Sequence, residues 1–285
     1  MNTIFTTIIA LSAIGVISAV LLYIIAQKFR IVEDPRIDEI ENVLPKANCG
    51  GCGYPGCRNF AEACIKSDNF EIMFCPVGGT SCMSQVAKIL GKESAIKEPM
   101  VAVIRCNGSR QNRAQKNIYD SAETCRLVHN LFRGESGCQY GCLRLGDCVQ
   151  SCKFNAMYMD KETGLPVVIE DRCVYCGACV KSCPRKIIEL RKKGPRGMRV
   201  FVSCINKEKG SVARLNCTAA CIACGQCFKI CPHNAITIEN NLAYISFEKC
   251  KLCRKCFSVC PTKAIQEVHF PAKAQKEPLS EIKSS

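Results

Sequence analysis

Tryptophan is absent from this 285-residue chain, and histidine occurs only three times, at His129, His233 and His269. A Rieske centre needs two histidines on one iron, and these three form no such arrangement, so we expect them on the surface. P-loop, flavin and nucleophile–base patterns are also missing. The sequence therefore predicts no independent catalytic site, and the chemistry must come from another residue type.

Cysteine is that residue type, with 26 copies. Such a density indicates disulfides, zinc sites or iron–sulfur clusters. Disulfide scaffolds are usually short and irregularly spaced, whereas the cysteines here recur at short, regular intervals. Structural zinc sites pair two distant C-x2-C doublets rather than runs that end in Cys-Pro, so a zinc-stapled binding protein is only the non-redox alternative. The spacing favours iron–sulfur clusters.

The formal net charge of +14 suggests at first a nucleic-acid-binding protein. However, a [4Fe–4S] core held by four thiolates carries a charge of about −2, so five of them would lower the total to about +4. That remainder is ordinary for a soluble domain. We therefore expect no nucleic-acid partner.

One long apolar run, residues 4–26, contains no charged side chain. A helix of that length spans roughly 34 Å, enough for a hydrocarbon core of about 30 Å. Residues 2–10 lack the basic start of a signal peptide, which favours an uncleaved anchor. Lys28, Arg30 and Arg36 follow the run, and positive flanks stay in the cytoplasm. The remainder should face a reducing cytoplasm, where thiols stay available for metal.

The first cysteine group has the spacing C-x2-C-x4-C-x17-C-P and consists of Cys49, Cys52, Cys57 and Cys75. A glycine-rich loop allows backbone N–H groups to approach the sulfurs, so this group predicts a [4Fe–4S] site. Residues 51–56 also match G-x-G-x-x-G, but no strand precedes them, which argues against nucleotide binding. Cys64 and Cys82 fall on apolar helical stripes, and we expect both in the core.

Three later runs fit the bacterial ferredoxin pattern C-x2-C-x2-C-x3-C-P. They are Cys173, Cys176, Cys179 and Cys183; Cys221, Cys224, Cys227 and Cys231; and Cys250, Cys253, Cys256 and Cys260. A fourth, looser quartet consists of Cys138, Cys142, Cys148 and Cys152. Its tail at 152–157 parallels 231–236 and 260–265, which indicates another cluster loop.

In two-cluster ferredoxins the fourth cysteine of each run binds the other cluster. That rule predicts four ligand sets: Cys138, Cys142, Cys148 and Cys183; Cys173, Cys176, Cys179 and Cys152; Cys221, Cys224, Cys227 and Cys260; and Cys250, Cys253, Cys256 and Cys231. With the first group this makes about five [4Fe–4S] clusters on 20 cysteines, which would also be the iron ligands. Short strands at 166–170 and 242–247 should complete each compact unit, and a further strand is predicted at 100–104.

Outside these sets remain Cys64, Cys82, Cys106, Cys125, Cys204 and Cys217, which we expect to be buried or free thiols. Cys217 is an alternative first ligand of the 221–231 run. A sixth cluster on Cys106, Cys125, Cys204 and Cys217 is the other alternative. The basic run 191–199 is predicted to be a solvated loop, with docking of an acidic electron carrier as the alternative.

The loop 49–57, the apolar anchor, the quartets and above all the segment 140–148 resemble the B subunit of the Rnf ion-translocating electron-transport complex, in a longer form with two further quartets. One departure is Arg110, at a position where relatives are expected to carry another cysteine, which weakens any claim to an extra cluster nearby. The resemblance covers nearly the whole chain.

This resemblance implies an electron-transfer subunit of a bacterial cytoplasmic (inner) membrane complex, a translocase that couples electron transfer between ferredoxin and NAD to ion movement. It implies soluble ferredoxin and other membrane and peripheral subunits as partners, with no direct NAD binding in this chain. A membrane-anchored polyferredoxin that feeds another reductase is the alternative.

The predicted fold class is α+β: a single N-terminal transmembrane helix, a small helical 4Fe-4S domain, and two tandem two-cluster ferredoxin-like units. The expected domains are 1–27 (anchor), 32–92 (4Fe-4S domain), 93–134 (connecting segment), 135–192 and 193–267 (ferredoxin units, the second with preceding strands), and 268–285 (disordered tail).

Overall fold

The computed structural model describes residues 2–28, 34–93, 98–118, 124–131 and 134–271. Arg30, parts of the predicted connecting segment and residues 272–285 of the predicted tail lie outside these ranges. The apolar run forms one continuous helix, α1 (Asn2–Lys28). Its stretch Ile4–Lys28 is long and apolar enough to cross a membrane, and it is the only such helix within the described ranges.

A small helical module follows α1. Its helices are α2 (Arg36–Val43), α3 (Cys57–Lys66) and α4 (Gly79–Leu90), with a 3₁₀ turn at Phe70–Ile72. Their apolar stripes meet around Ile40, Phe60 and Val86, which are all nearly inaccessible. Cys64 and Cys82 lie in this core, 0% and 7% exposed, which confirms that both are packing residues.

The described residues after α4 contain four two-stranded antiparallel sheets. The pairs are β1 (Met100–Ile104) with β4 (Ile188–Lys192), β2 (Met157–Met159) with β3 (Pro166–Val168), β5 (Arg199–Val202) with β8 (Ile265–Val268), and β6 (Ile236–Glu239) with β7 (Leu242–Ile245). All three predicted strands are present, and β1 supplies a strand to the first unit from within the predicted connecting segment.

The same order of elements occurs twice. Each unit runs strand, helix, helix, strand, strand, helix, strand, so β1 corresponds to β5 and β4 to β8. The helices are α5 (Cys125–Leu131), α6 (Asp147–Gln150) and α7 (Ala178–Ser182) in the first unit, and α8 (Gly210–Asn216), α9 (Gln226–Ile230) and α10 (Lys255–Ser258) in the second. Two-stranded sheets are marginally stable alone, so each unit needs the core between its sheets and cysteine loops.

The two units pack against each other through their outer sheets. Val101 and Val103 of β1 form a buried cluster with Phe201 of β5. Beside it, Glu189 of β4 accepts hydrogen bonds from Arg105 and Arg191, both at 3.1 Å, and one from the Tyr244 hydroxyl of β7 at 2.8 Å. A single carboxylate thus joins both units and compensates two enclosed arginines.

The prediction of a solvated basic loop at 191–199 is wrong at both ends of the run. Arg191 is 1% exposed, and its guanidinium lies 5.7 Å from the ring centre of Phe201 and 5.1 Å from that of Tyr244. Arg199 is 6% exposed and pairs with Glu170. The sequence shows the charges but not these carboxylate and aromatic partners, which come from distant segments.

We expect Glu189→Ala to destabilise the chain by about 3–5 kcal/mol, because two buried guanidinium groups lose their carboxylate. The measurement is the midpoint of anaerobic guanidinium unfolding of the iron-loaded chain. The matched control is Glu98→Ala, since Glu98 pairs with Lys192 at the surface, where both side chains are largely exposed. That control should change stability by no more than about 1 kcal/mol. Equal effects of the two substitutions would contradict the assigned role of Glu189.

Candidate iron–sulfur centres

The first centre is a loop that precedes α3. Cys57 begins that helix, and Gly50 and Gly53 adopt left-handed backbone conformations with φ of 73° and 92°. The Gly51 N–H donates to the Sγ of Cys49 at 3.5 Å, and the Gly78 N–H donates to the Sγ of Cys75 at 3.4 Å. N–H groups aimed at sulfur are a common feature of protein iron–sulfur sites.

The distant Cys75 joins this loop. Burial raises the pKa of the Cys75 thiol, the backbone N–H groups of Gly78 and Val77 lower it, and the nearby sulfurs of Cys52 and Cys57 raise it further. Those interactions place three thiols of the predicted set in one electrostatic neighbourhood. Cys49 completes the loop and is half-buried.

The three regular ferredoxin runs share one local geometry. The third cysteine of each run lies in the first turn of a short helix, α7, α9 or α10, directly after a residue in the left-handed region. Those residues are Gly177, Gly225 and Arg254, with φ of 76°, 78° and 63°. Glycine adopts this conformation without strain, and it turns the chain sharply between the second and third cysteines.

Each regular run meets a cysteine from the neighbouring run around a cavity. About 360 Å³ of empty space is lined by Cys221, Cys224, Cys227 and Cys260. A second cavity of about 320 Å³ is lined by Cys231, Cys250, Cys253 and Cys256, and a third of about 340 Å³ by Cys152, Cys173, Cys176 and Cys179. These are the three sets that the crossover rule joins, although ligation itself stays a prediction.

The looser quartet follows the same backbone pattern as the regular runs, but one cysteine position of that pattern is occupied by another residue. Gly146 has a φ of 84° and precedes α6, so Cys148 corresponds to the third cysteine and Cys142 to the first. The second position is then Leu145, which has no thiol. At the end of the run, Ala156 donates its N–H to the Sγ of Cys152 at 3.4 Å, as Ala235 does to Cys231.

The assignment of Cys138 to the centre of Cys142, Cys148 and Cys183 stays a prediction. Cys138 also lines a cavity of about 320 Å³ with Cys106, Cys204 and Cys217. Cys183 lies close to Cys148. Burial has the largest effect on the pKa of the Cys148 thiol, and the charge of Cys183 raises that pKa further. The sixth-cluster alternative from the sequence contains Cys106, Cys204 and Cys217 of this cavity but has Cys125 in place of Cys138, because a linear pattern shows only cysteines that are close along the chain.

Burial dominates the acid–base properties of these thiols. It raises the pKa of Cys148, Cys179 and Cys256 to about 12, and that of Cys227 to about 11. Without metal these groups are neutral near pH 7. Since thiolates are the form that binds iron, loading a centre must release protons, and acid must weaken binding.

The donor set fits [4Fe–4S] clusters. In the described part of the chain, no group of three or more His, Cys, Asp or Glu side chains is close enough to hold a single metal ion. A zinc ion holds its thiolates at about 2.3 Å, whereas a cubane keeps four thiolates apart by placing a different iron under each. Four cysteines around a cavity are the arrangement that a cubane requires.

The first centre contacts the first ferredoxin unit directly. A Cβ added to Gly51 would lie 2.8 Å from the Cβ of Cys176, so only glycine fits there. The rings of Phe74 and Tyr175 stack with centres 6.1 Å apart, and Lys153 donates to the carbonyl of Asn48 at 3.3 Å. The two cysteine loops are therefore neighbours, which sequence spacing did not indicate.

Comparison with protein-family models gives matches over these same segments. The FeS model, which describes an Fe-S cluster, matches residues 44–77. One 4Fe-4S dicluster domain model matches residues 137–187 and 220–264, and another matches residues 172–235. The [4Fe–4S] chemistry of the predicted fold is thereby supported, and the mixed helix and strand content agrees with the predicted α+β class.

Three curated proteins are similar over most of the chain. The B subunit of the Na(+)-translocating ferredoxin:NAD(+) oxidoreductase complex of Acetobacterium woodii is 43% identical over 251 residues, 88% of this chain and 74% of the relative. The B subunit of the proton-translocating ferredoxin:NAD(+) oxidoreductase complex of Clostridium ljungdahlii is 37% identical, covering 88% and 87%. The B subunit of the ion-translocating oxidoreductase complex of Methanosarcina acetivorans is 37% identical, covering 87% and 92%.

Proposed function

This chain belongs to the B subunits of the Rnf ion-translocating oxidoreductase complexes, and from that membership we propose that it carries electrons between soluble ferredoxin and the membrane subunits of a complex that reacts with NAD. It is an iron–sulfur electron-transfer subunit. The observation that carries the proposal is the contact between the first centre and the Cys176 loop, which makes separate sites into one path.

Bound [4Fe–4S] clusters would supply one-electron storage and transfer. The residues of the chain place them in order. We assign the first centre to Cys49, Cys52, Cys57 and Cys75, and three more to the three cysteine sets that line cavities in the two ferredoxin units. A fifth centre uses Cys142, Cys148 and Cys183.

The membrane end of the path is the first centre. It lies in the helical module that follows α1, and Lys28 and Arg36 flank the helix on that side. Because basic flanks remain in the cytoplasm, we place the soluble part on the cytoplasmic side of the cytoplasmic (inner) membrane.

The second ferredoxin unit offers the entry point. Cys224 and Cys253 are exposed, whereas Cys176, the equivalent of Cys253 in the first unit, is covered by the first centre. Exposed Lys249, Lys251 and Lys255 flank Cys253 in the sequence. A small acidic ferredoxin would be attracted to this surface, because opposite charges steer diffusing partners together. NAD would react on another subunit.

Reduction by ferredoxin tests this function. We expect dithionite-reduced acidic ferredoxin to bleach the visible absorbance of the full-length chain in inside-out membrane vesicles. Reversing two charges, Lys251→Glu with Lys255→Glu, should slow this bleaching about tenfold at low salt by removing electrostatic attraction. Lys161→Glu is the control, since Lys161 is also exposed but lies in the first unit.

Three results would contradict the proposal. Bleaching in right-side-out but not inside-out vesicles would reverse the orientation. Equal rates for the double variant and the control would remove ferredoxin from the Cys253 surface. Absence of iron and inorganic sulfide from the anaerobically purified chain would refute electron transfer altogether.

A further inference from the structure

The two ferredoxin units repeat a feature that lies outside the ferredoxin pattern. In each unit the first strand is followed two residues later by a cysteine, Cys106 after β1 and Cys204 after β5. In each unit the first cysteine of the cluster run, Cys142 or Cys221, is also preceded four residues earlier by a cysteine. Those two are Cys138 and Cys217. Each unit therefore carries one additional pair of thiols at equivalent positions.

The hydrogen bonds of these pairs are equivalent too. The N–H of Cys142 donates to the Sγ of Cys106 at 3.4 Å. In the second unit the backbone N–H of Cys221 interacts with the sulfur of Cys204 in the same way. Both pairs face a shared cavity of about 320 Å³ between the units, which matches the smallest of the three cavities lined by regular cysteine sets. Four thiols from two units thus surround a space of the expected size.

The walls of this cavity suit an anion. Arg113 lines it, is 2% exposed, and makes no ion pair with a carboxylate in the described part of the chain. Its Nε has no hydrogen-bond partner among the described residues. A buried guanidinium without a counter-charge is costly, and a cluster with four thiolates would supply about two negative charges. Gly141 makes room for Arg113, because a Cβ there would overlap with its Nη1.

Asn206 adds donors on the other side. It is 1% exposed, its backbone N–H donates to the Sγ of Cys204 at 3.4 Å, and its Nδ2 lies 3.6 Å from the Sγ of Cys138. One buried side chain thereby reaches sulfurs of both units. N–H groups directed at sulfur stabilise and tune bound iron–sulfur clusters.

Cys125 lies beside the loop of Cys142 and Cys148, where a fourth thiol is needed if Cys138 belongs to the cavity between the units. Its sulfur interacts with the backbone N–H groups of Leu145 and Asp147. In the first unit's regular run, the second cysteine, Cys176, interacts in the same manner with the N–H of Ala178, which corresponds to Asp147. The thiol that Leu145 cannot provide is therefore supplied by α5.

From this symmetry we propose that Cys106, Cys138, Cys204 and Cys217 hold a sixth [4Fe–4S] cluster between the two ferredoxin units, and that Cys125 completes the centre of Cys142, Cys148 and Cys183. The inference rests on the proposed iron–sulfur function. Six sets leave only Cys64 and Cys82 of the 26 cysteines, and both are core residues of the helical module.

The sixth centre would connect the path. Cys142 and Cys221, which belong to different units, both donate their N–H groups to its sulfurs. On the first side, Cys148 lies near Cys179; on the second, Cys227 lies near Cys256. Each centre of the path thereby has sulfurs near those of the next, and the centre between the units closes the one gap that the five predicted clusters leave.

Iron stoichiometry of the full-length, anaerobically purified chain tests the sixth site. We expect about 24 iron atoms per chain rather than about 20, with matching inorganic sulfide. Cys106→Ser, Cys138→Ser and Cys217→Ser should each lose about four, and the double variant Cys106→Ser with Cys217→Ser should lose no more than either single variant. Paramagnetic resonance of the reduced chain should lack the same single component in each.

A second arm separates the two regrouped sets. Cys125→Ser combined with Cys148→Ser should lose one centre, whereas Cys125→Ser combined with Cys106→Ser should lose two. Cys82→Ser is the control and should keep all iron, because Cys82 belongs to none of the six sets and its thiol donates to the carbonyl of Val43 at 3.5 Å.

The outcomes distinguish this inference from the function on which it rests. About 20 iron atoms in the unmodified chain, with no loss in Cys106→Ser and Cys217→Ser, would overturn the sixth site and leave electron transfer intact. A greater loss in the Cys106→Ser, Cys217→Ser double variant than in the singles would also overturn it. A chain without iron or sulfide would refute the proposed function itself.

Discussion

Replacing Cys179 by alanine is expected to remove about four iron atoms and to cut the electron path between the first centre and the second ferredoxin unit. Cys179 is 9% exposed on α7 and lines the cavity with Cys152, Cys173 and Cys176. Loss of one thiolate leaves one corner of the cubane open, and the centre lies directly against the membrane-side loop at Gly51.

Two measurements separate the local loss from a general failure to fold. Iron analysis should fall by about four atoms, not to zero. In rapid mixing with reduced ferredoxin, the centres of the second unit should still be reduced, whereas the centre of Cys49 should remain oxidised. Cys64→Ala is the control, since Cys64 is fully buried in the helical module and belongs to no ligand set. Full iron content in Cys179→Ala would refute the assignment of this ligand.

A single disrupted centre has such a large effect because the path does not branch. The Cys49 sulfur acts on Cys176, and Cys148 acts on Cys179, so the same centre contacts both neighbours. The repeated units explain this arrangement, because equivalent cysteines of the two units are covered in one unit and exposed in the other. In the first unit Cys176 meets the helical module, whereas its equivalent in the second unit, Cys253, is open to solvent.

Local spacing predicted the parts of this architecture that are local. A run of four cysteines at fixed short intervals determines its own backbone turn, so the regular runs, the helical core cysteines and the strand β1 could be predicted from sequence. The crossover rule also grouped the three cysteine sets that line cavities.

The grouping of cysteines that lie far apart in the chain was predicted only in part: the sixth-cluster alternative contained Cys106, Cys204 and Cys217, but Cys125 instead of Cys138. Each unit has an equivalent pair of cysteines, Cys106 with Cys138 and Cys204 with Cys217. The segment between the two cysteines is longer in the first unit than in the second, so no regular interval connects them. Leu145 likewise conceals the second position of the looser quartet, because the thiol that we propose in its place lies on α5. The buried state of Arg191 likewise depends on Glu189, Phe201 and Tyr244, which are brought together only by the packing of two sheets.

Stripping iron from the chain is expected to unfold both ferredoxin units while α1 remains helical. Their strands are three to five residues long and form only two-stranded sheets, which are marginal without a core. The buried clusters of side chains in both units include the cysteines themselves, such as Cys148, Cys179, Cys227 and Cys256. Structural metal sites contribute on the order of 10 kcal/mol to folding, so little stability should remain without them.

The expected measurement is anaerobic treatment of the full-length chain with an iron chelator, followed by circular dichroism and amide hydrogen exchange. Amides of β1, β4, β5 and β8 should lose protection together with iron, and added iron with sulfide should restore it. Without metal, the thiols of Cys148 and Cys179 have a pKa raised to about 12. Because protons compete with iron for these thiolates, iron release should become faster as the pH falls. Glu98→Ala, which alters only a surface ion pair, should follow the unmodified chain. Retention of strand protection after complete iron removal would show that the polypeptide folds without its inorganic core and would contradict this account of its stability.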